Sequence, residues 1–277
     1  MALPRSEYLS STWRDGIFDN KVVFCTGGGG TICSAQVRAL VHLGANACIL
    51  GRNVEKTEKM AQSIATARKG AKVIGIGGAD VRSIESLEKA VERCVRELGG
   101  IDYVIAGAAG NFLSPIAGLS ANAFKTVMDI DTLGGRILFI SAAFHYTGMP
   151  LQTHAAAAKA GVDAIMAGTA LEYGPYGITS NVITPGPIAG TEGMARLGDP
   201  KSEATGAAQR KNPLGRYGTV KEIADGTVYL FADTGSYVNG EVLVIDGGGW
   251  RSTGAFDGEK TYPDYLLDGT FTKKAKL

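Results

Sequence analysis

Four consecutive glycines, Gly27 to Gly30, are the most constraining feature of this 277-residue chain. They follow a short apolar run, Val22 to Cys25, and precede a helical pattern that begins at Ala35. A strand, a glycine turn and a helix in this order direct backbone N–H groups and a helix N-terminus at a phosphate group. The turn therefore predicts nucleotide binding. A glycine turn without a ligand is the alternative, because Thr31 and Cys33 stand where the common fingerprint has glycine.

Apolar runs alternate with helical patterns from Lys21 to Trp250. This alternation predicts a parallel sheet with helices on both faces, a Rossmann-type doubly wound α/β fold. No linker-like stretch divides the chain, so we expect one domain over residues 1–277, with a peripheral extension at 1–20 and a polar tail at 251–277. The predicted strands are 22–25, 47–50, 72–76, 101–106, 136–141, 180–183 and 241–245, and the predicted helices are 35–43, 56–69, 83–98, 120–132, 153–172 and 220–231.

The composition restricts the classes of partner. Hydrophobic residues make up 45% of the chain and the formal net charge is +1, so we expect a large core and neither nucleic acid nor a membrane as partner. No apolar run approaches the length of a membrane span. The three histidines have no metal-binding spacing, so no metal site is predicted. The four cysteines form no CxxC pair, which favours buried free thiols.

Further motifs follow the glycine turn in a fixed order. Asp80-Val81 ends the third predicted strand, Ala106 to Gly110 ends the fourth, Lys159 lies on the long helix and Asp246-Gly247-Gly248 follows the last strand. Together with the glycine turn and the segment from Pro185 to Thr191, these motifs resemble the short-chain dehydrogenase/reductase family. The resemblance implies that Asp80 reaches the adenine edge of a bound dinucleotide and that the other cofactor-binding residues are Gly27, Gly28, Gly29, Gly30, Thr31, Ile32, Lys159, Pro185, Gly186, Ile188 and Thr191.

Three segments resemble one branch of that family, the peroxisomal 2,4-dienoyl-CoA reductases: Ala108 to Leu113, Ala123 to Thr132 and Pro185 to Gly193. The resemblance implies an enzyme that reduces 2,4-dienoyl-CoA to trans-3-enoyl-CoA in peroxisomal β-oxidation of unsaturated fatty acids, and that forms homo-oligomers. The C-terminal Ala275-Lys276-Leu277 is similar to the Ser-Lys-Leu address that a peroxisomal import receptor reads. A basic tail that ends in Leu by chance is the alternative.

The chain departs from the family at the catalytic hydroxyls. Ala155 stands four residues before Lys159, where most members have Tyr, and Ala142 stands where they have Ser. Without this pair, carbonyl–alcohol chemistry loses its proton donor. Asp131 stands where most members have Asn, and the resemblance implies that an acid there holds a proton-donating water with the help of Lys159. A solvated acid near a helix end is the alternative for Asp131.

Arg52 follows the second predicted strand, where members that prefer NAD carry an acid. Because a cation suits a 2′-phosphate, Arg52 favours NADPH over NADH. An exposed arginine without a ligand is the alternative. For the acyl-CoA, the resemblance points to Arg82, Phe112, Ser120, Asn122 and Arg196, although each alone is also typical of surface or packing residues.

Only ten residues separate Asp131 from Ala142, whereas in the family the helix that carries this acid continues for several turns. Either a segment is absent from the sequence or the connection is genuinely short. A short connection would affect both oligomer formation and the position of Asp131. Two rivals to the dienoyl-CoA reductase also stay open: a peroxisomal trans-2-enoyl-CoA reductase, and a non-catalytic NADPH-binding member of the family.

Overall fold

The computed structural model describes residues 3–108, 135–148, 152–197 and 205–252 of the chain. Within these ranges, seven strands form one parallel sheet in the order β3-β2-β1-β4-β5-β6-β7. The predicted doubly wound fold is confirmed. The strands are β1 Val22–Thr26, β2 Asn46–Gly51, β3 Val73–Gly77, β4 Tyr103–Ala106, β5 Arg136–Ile140, β6 Thr179–Pro185 and β7 Val242–Ile245.

Nine α-helical segments connect or follow the strands in the described part of the chain. The predicted helix at 120–132 lies outside the described residues. The segments are α1 Thr31–His42, α2 Val54–Ala65, α3 Ile84–Leu98, α4 Phe144–Thr147, α5 Thr153–Tyr173, α6 Glu192–Leu197, α7 Ala207–Arg210, α8 Val220–Phe231 and α9 Gly249–Ser252.

Local signals explain where several helices begin and end. Ser83 caps α3 by accepting a hydrogen bond from the Ser86 N–H, and Gly99 ends the same helix in the left-handed conformation. Thr219 and Glu222 form a reciprocal capping box at the start of α8, the helix whose predicted bounds match those observed. By contrast, α1 begins at Thr31, four residues before its predicted start, because it follows directly on the glycine turn.

Two apolar clusters cover the two faces of the sheet. Val23 and Cys25 of β1 pack in the cluster that includes α1 and α8, whereas Val22 and Phe24 pack in the cluster that includes α3. Since both faces are buried, the strands appear in the sequence as continuous apolar runs without polar alternation. The four cysteines are buried and free, as predicted.

The N-terminal segment is part of the core, which differs from the peripheral position that its polar composition predicts. Tyr8, Leu9 and Phe18 are almost fully buried in the cluster on the α1 side. The Ser10 N–H and the indole N–H of Trp13 both donate to one carboxylate oxygen of Asp225 on α8, at 3.0 and 2.8 Å. A few apolar anchors therefore fix a segment that is polar on average.

The strand order reverses between β1 and β4, since β1 pairs with β2 on one side and with β4 on the other. In open parallel sheets, ligands bind beyond the carboxyl ends of the strands at such a switch point. The glycine turn follows β1 at this point, and Gly107 follows β4 beside it. The fold therefore places the predicted nucleotide site at the usual crevice.

Candidate cofactor and substrate site

The glycine turn is packed so closely that its first two glycines tolerate no side chain. Gly27 has φ +69°, and a Cβ added to it would lie 2.6 Å from the carbonyl oxygen of Gly107. A Cβ on Gly28 would lie 2.6 Å from the Cβ of Ile49 on β2. The turn is thus pressed against the ends of β4 and β2, which fixes its backbone at the switch point.

The outer half of the turn faces open space and leads into an uncapped helix. A Cβ on Gly29 would meet its nearest atom, Cγ of Lys56, only at 3.9 Å. Gly30 is the N-cap of the twelve-residue α1, and no side chain caps this end. Gly30 and Thr31 are exposed and Ile32 is half-buried. Backbone N–H groups at an uncapped helix N-terminus suit an anionic group, so the turn fits the pyrophosphate of a dinucleotide.

The end of β2 presents an exposed cation to the same crevice. Arg52 is exposed and follows β2 directly, and Asn53 caps α2 by accepting from the Lys56 N–H at 2.8 Å. Lys56 in turn lies 3.1 Å from Glu192, the first residue of α6. This ion pair joins the start of α2 to the segment after β6, which brings the two sides of the crevice together.

Asp80 and Arg82 are predicted to bind different ligands, but the structure brings them together. The Arg82 guanidinium donates to both carboxylate oxygens of Asp80, at 2.6 to 3.1 Å, and its backbone N–H donates to the same group at 3.0 Å. The Arg82 side chain lowers the pKa of Asp80 to about 2. Asp80 therefore stays ionised at the end of β3, and Arg82 is partnered within the chain.

Lys159 lies on α5 beside the end of β5. Its ammonium donates to the carbonyl oxygen of Ile140 at 2.7 Å, and burial lowers its pKa. Ser141 is buried and donates to the carbonyl oxygen of Lys159 at 3.5 Å. Ala142 and Ala155 are half-buried and bring no hydroxyl to this place. The site thus combines a buried ammonium with two positions that lack a proton-donating side chain.

The segment after β6 continues the crevice. A Cβ on Gly186 would lie 2.6 Å from the Cβ of Asp246, so this glycine permits close contact with the end of β7. Ile188 is buried and forms an isolated parallel bridge with Gly218. The Thr191 hydroxyl donates to the carbonyl oxygen of Ile188 at 2.9 Å. The residues predicted for this side of the cofactor therefore form one supported loop.

A cavity of about 360 Å³ adjoins this loop beyond the carboxyl end of β7. Pro187, Leu214, Arg216, Asp246 and Trp250 are among the residues that line it. Asp246 is held by backbone donors, accepting from the N–H groups of Gly248 and Trp250 at 2.8 and 2.7 Å. The cavity thus combines apolar walls with one cation, Arg216, and two carboxylates, Glu222 and Asp246.

The structure describes only one of the remaining predicted residues. Asp131, Phe112, Ser120 and Asn122 lie outside the described residues, whereas Arg196 belongs to α6.

The described ranges contain no group of three potential metal ligands. Among the same residues, none of the helices is both long and apolar enough to cross a bilayer.

One cluster beside Lys159 was not predicted from the sequence. His145, Tyr146 and Asp163 meet between α4 and α5, with the Tyr146 hydroxyl donating to Asp163 Oδ2 at 2.5 Å. The available signal was the four-residue spacing of Lys159 and Asp163, which puts both on one face of α5. Tyr146 is visible in the sequence, but its register differs from that of the family's tyrosine.

Comparison with known proteins matches most of the chain. The profile of a family described as enoyl-(acyl carrier protein) reductase matches residues 29–249. The peroxisomal 2,4-dienoyl-CoA reductase [(3E)-enoyl-CoA-producing] of Saccharomyces cerevisiae is 47% identical, covering 95% of this chain and 94% of that protein. The enzyme of the same name from Rattus norvegicus is 39% identical over 85% of this chain and 86% of its own length.

The yeast alignment also bears on the length of the chain. It spans 279 positions, more than the 277 residues present here, so the yeast protein has residues without a counterpart in this chain.

Solved structures agree with the fold. Levodione reductase superimposes with a TM-score of 0.72 at 29% identity, covering 84% of this chain and 99% of that one. A blue fluorescent protein from a metagenomic library, solved in complex with NADPH, gives a TM-score of 0.71 at 28% identity, covering 84% and 98% of the two chains. The sheet order, the glycine turn at the switch point and these matches lead to one conclusion. The chain belongs to the short-chain dehydrogenase/reductase family.

Proposed function

We propose that this chain is an NADPH-dependent 2,4-dienoyl-CoA reductase that produces (3E)-enoyl-CoA in peroxisomal β-oxidation of unsaturated fatty acids. Relatives with this printed activity match it over nearly their whole length, at up to 47% identity in yeast and at 34% in Arabidopsis thaliana. One structural observation carries the assignment: a half-buried Lys159, whose ammonium donates to the Ile140 carbonyl oxygen, is present while Ala142 and Ala155 replace the usual hydroxyls. That arrangement disfavours carbonyl reduction and suits reduction of a conjugated C=C bond.

The reaction divides into a hydride step and a proton step. Bound NADPH supplies a hydride to the δ-carbon of the dienoyl thioester. The electrons shift toward the thioester oxygen, and protonation of the resulting dienolate at the α-carbon leaves the double bond at carbon 3. A hydrogen-bond donor or a cation must stabilise the thioester oxygen as negative charge develops on it.

The described residues fit NADPH in three places. The uncapped start of α1 with Gly27 to Gly30 suits the pyrophosphate, and the exposed Arg52 suits a 2′-phosphate. We assign Lys159 to the nicotinamide ribose from the family resemblance, and Asp80 to the adenine edge; Asp80 lies at the end of β3 near Arg52, whose charge acts on it. We assign Thr31, Ile32, Pro185, Gly186, Ile188 and Thr191 to the same cofactor surface.

We assign the proton step to a water held by Asp131 with the help of Lys159. Burial lowers the pKa of Lys159, whereas the charge of Asp163, one helical turn away, acts to raise it. Asp131 is assigned from its place in the family motif from Ala123 to Thr132, which lies outside the described residues. The pairing of an acid at this position with the lysine in the dienoyl-CoA reductase branch supports the assignment.

The contacts with the acyl-CoA substrate are proposed from the family resemblance. Phe112, Ser120, Asn122 and Arg196 are assigned to the acyl-CoA through their family motifs. Arg82 is assigned as well, although a CoA phosphate would have to compete with Asp80 for its guanidinium. Alanine variants of Arg82 and Arg196, compared by their KM for substrates with and without the CoA 3′-phosphate, test these two residues.

The chain acts in the peroxisome, as its named relatives do. We propose that Ala275-Lys276-Leu277 binds the import receptor and that the chain forms a homo-oligomer. Deletion of the tripeptide from a fluorescently tagged chain should leave the fusion in the cytosol, whereas retained peroxisomal import would reject this address. Light scattering coupled to size exclusion reports the oligomer.

NADPH consumption with a short 2,4-dienoyl-CoA and with a trans-2-enoyl-CoA tests the proposed activity. We expect turnover of the dienoyl substrate only, with (3E)-enoyl-CoA as the product, and loss of turnover in Asp131→Ala while NADPH still binds. Turnover of the 2-enoyl substrate alone would identify the rival reductase. Tight NADPH binding with no turnover of either substrate would favour a non-catalytic member of the family.

A further inference from the structure

Three side chains beside Lys159, the buried His145 and Asp163 and the half-exposed Tyr146, form a polar cluster that the cofactor does not account for. His145 and Tyr146 come from α4, and Asp163 comes from α5, one turn after Lys159. The Tyr146 hydroxyl donates to Asp163 Oδ2 at 2.5 Å, and His145 Nε2 lies 2.9 Å from the same oxygen. The side chains of His145 and Asp163 retain only 7% and 12% of their exposure. A buried carboxylate depends on such partners, so their loss is costly.

His145 also holds the backbone at the position of the missing serine. Its Nδ1 lies 2.6 Å from the carbonyl oxygen of Ala142, which can only accept, so this nitrogen carries a proton. Among the described residues, His145 Nε2 has no hydrogen-bond partner, although it lies 2.9 Å from Asp163 Oδ2, so the imidazole packs directly against the carboxylate. The carboxylate therefore acts on the loop after β5 through both the phenol and the imidazole.

The cluster extends to the end of β7 through an aromatic contact. The ring of Tyr146 meets the ring of Trp250 edge-on, with centroids 5.7 Å apart. The Trp250 N–H donates to Asp246, which follows β7. One carboxylate thus joins three segments at the carboxyl edge of the sheet: the loop after β5, helix α5 with Lys159, and α9 with Trp250.

The cluster adds a second connection between the segment after β5 and α5. Next to the positions of the replaced hydroxyls, Ser141 donates to the carbonyl oxygen of Lys159, and Lys159 donates to that of Ile140. The cluster repeats this connection one helical turn further along α5, and it adds a contact with Trp250, which lines the cavity beyond β7.

We propose that Asp163 is a positioning residue that holds α4 and Trp250 against α5 and thereby fixes the acyl-CoA side of the site. It acts through Tyr146 and His145 and does not touch the reacting atoms. This inference rests on the proposed function, because it takes the dienoyl thioester as the substrate of this site. Most of the NADPH contacts assigned above, at the glycine turn and Arg52, lie after β1 and β2, whereas Asp163 lies beside β5, so only the Lys159 contact is near it and NADPH affinity should depend weakly on Asp163.

The kinetic test compares Asp163→Ala, Asp163→Asn and Tyr146→Phe with the parent chain. Since a hydrogen bond to a charged group is removed, we expect Asp163→Ala to raise the KM for 2,4-hexadienoyl-CoA about tenfold. The Kd for NADPH should change less than about twofold. Asp163→Asn keeps an acceptor for the Tyr146 hydroxyl, so it should restore part of the loss. Tyr237→Phe removes a fully exposed hydroxyl and is the matched control, with no expected change.

A second readout does not depend on turnover. The chain has two tryptophans, so Trp13→Phe leaves Trp250 as the single fluorescent reporter. In that background, Asp163→Ala and Tyr146→Phe should increase quenching of Trp250 by acrylamide, whereas Tyr237→Phe should not. Unchanged quenching and an unchanged KM in both Tyr146→Phe and Asp163→Asn would overturn the inference. If the parent does not turn over dienoyl-CoA, the proposed function fails, while the quenching still reports whether Asp163 holds Trp250.

Discussion

Gly28→Ala tests whether the glycine turn is fixed by packing before any cofactor binds. The added Cβ would lie 2.6 Å from Cβ and 2.8 Å from Cγ2 of Ile49 on β2, a strand paired on both sides by β1 and β3. Ordinary contacts between such carbons begin near 3.5 Å, so the turn or the strand must move by roughly 1 Å. Overpacking of this kind costs about 1–3 kcal/mol, which lowers the Tm of a domain of this size by several degrees.

The same displacement should weaken cofactor binding. A shift of about 1 Å in the backbone that faces the pyrophosphate misaligns its N–H groups, and we expect at least a tenfold rise in the Kd for NADPH. Fluorescence titration of NADPH and thermal unfolding, both on purified protein, measure the two effects. Unchanged Tm and unchanged affinity would refute the packing argument.

Gly29→Ala is the matched control, because its added Cβ would have 3.9 Å to the nearest atom. We expect the Tm to stay within about 1 °C of the parent value or to rise slightly, since alanine restricts the unfolded chain. If this variant binds NADPH less tightly than the parent, the cause is a close contact between the added methyl group and the bound cofactor. The pair therefore separates the structural role of the turn from its role in binding.

Three further predictions concern charge and the N-terminal segment. Arg52→Ala should reduce the preference for NADPH over NADH at least tenfold, measured as the ratio of the two kcat/KM values, and an unchanged ratio would exclude Arg52 from the 2′-phosphate site. Asp225→Ala should lower the free energy of unfolding by about 1–3 kcal/mol in urea titrations, because two N–H donors of the N-terminal segment lose their acceptor; no change would mean that this segment is not anchored there. The Arg216 side chain holds the pKa of Glu222 down to about 2, so Glu222→Gln should destabilise the chain above pH 4.5. Since the folded pKa is the lower one, this stabilisation is lost as pH falls toward 2, and the Tm difference from the parent should shrink between pH 7 and pH 3; a constant difference would contradict it.

The fold was predictable because its signals are local and repeated. Apolar runs marked all seven strands, and the helical patterns marked the starts of α3 and α8 to within a residue. The N-terminal segment was not predictable in this way. Its burial depends on three scattered apolar side chains and on a distant partner, Asp225, which no local pattern indicates.

The candidate site was predictable only where a motif fixes the backbone. The glycine turn and Lys159 lie where the family pattern places them, but their binding roles stay predictions. Arg82 shows the limit, because the sequence gives its charge but not its ion pair with Asp80. The cluster around Asp163 could not be derived either, since it forms between helices through side chains that share no motif.

The account's central claim is that this chain delivers hydride to a conjugated C=C bond without the family's Ser and Tyr. A single turnover of 2,4-hexadienoyl-CoA with NADPH carrying deuterium at the transferred position, followed by NMR of the product, tests it most directly. The account predicts (3E)-enoyl-CoA with deuterium at the δ-carbon, and solvent-derived deuterium at the α-carbon when the reaction is run in D₂O. Deuterium at the β-carbon, or no product while NADPH remains bound, would contradict it.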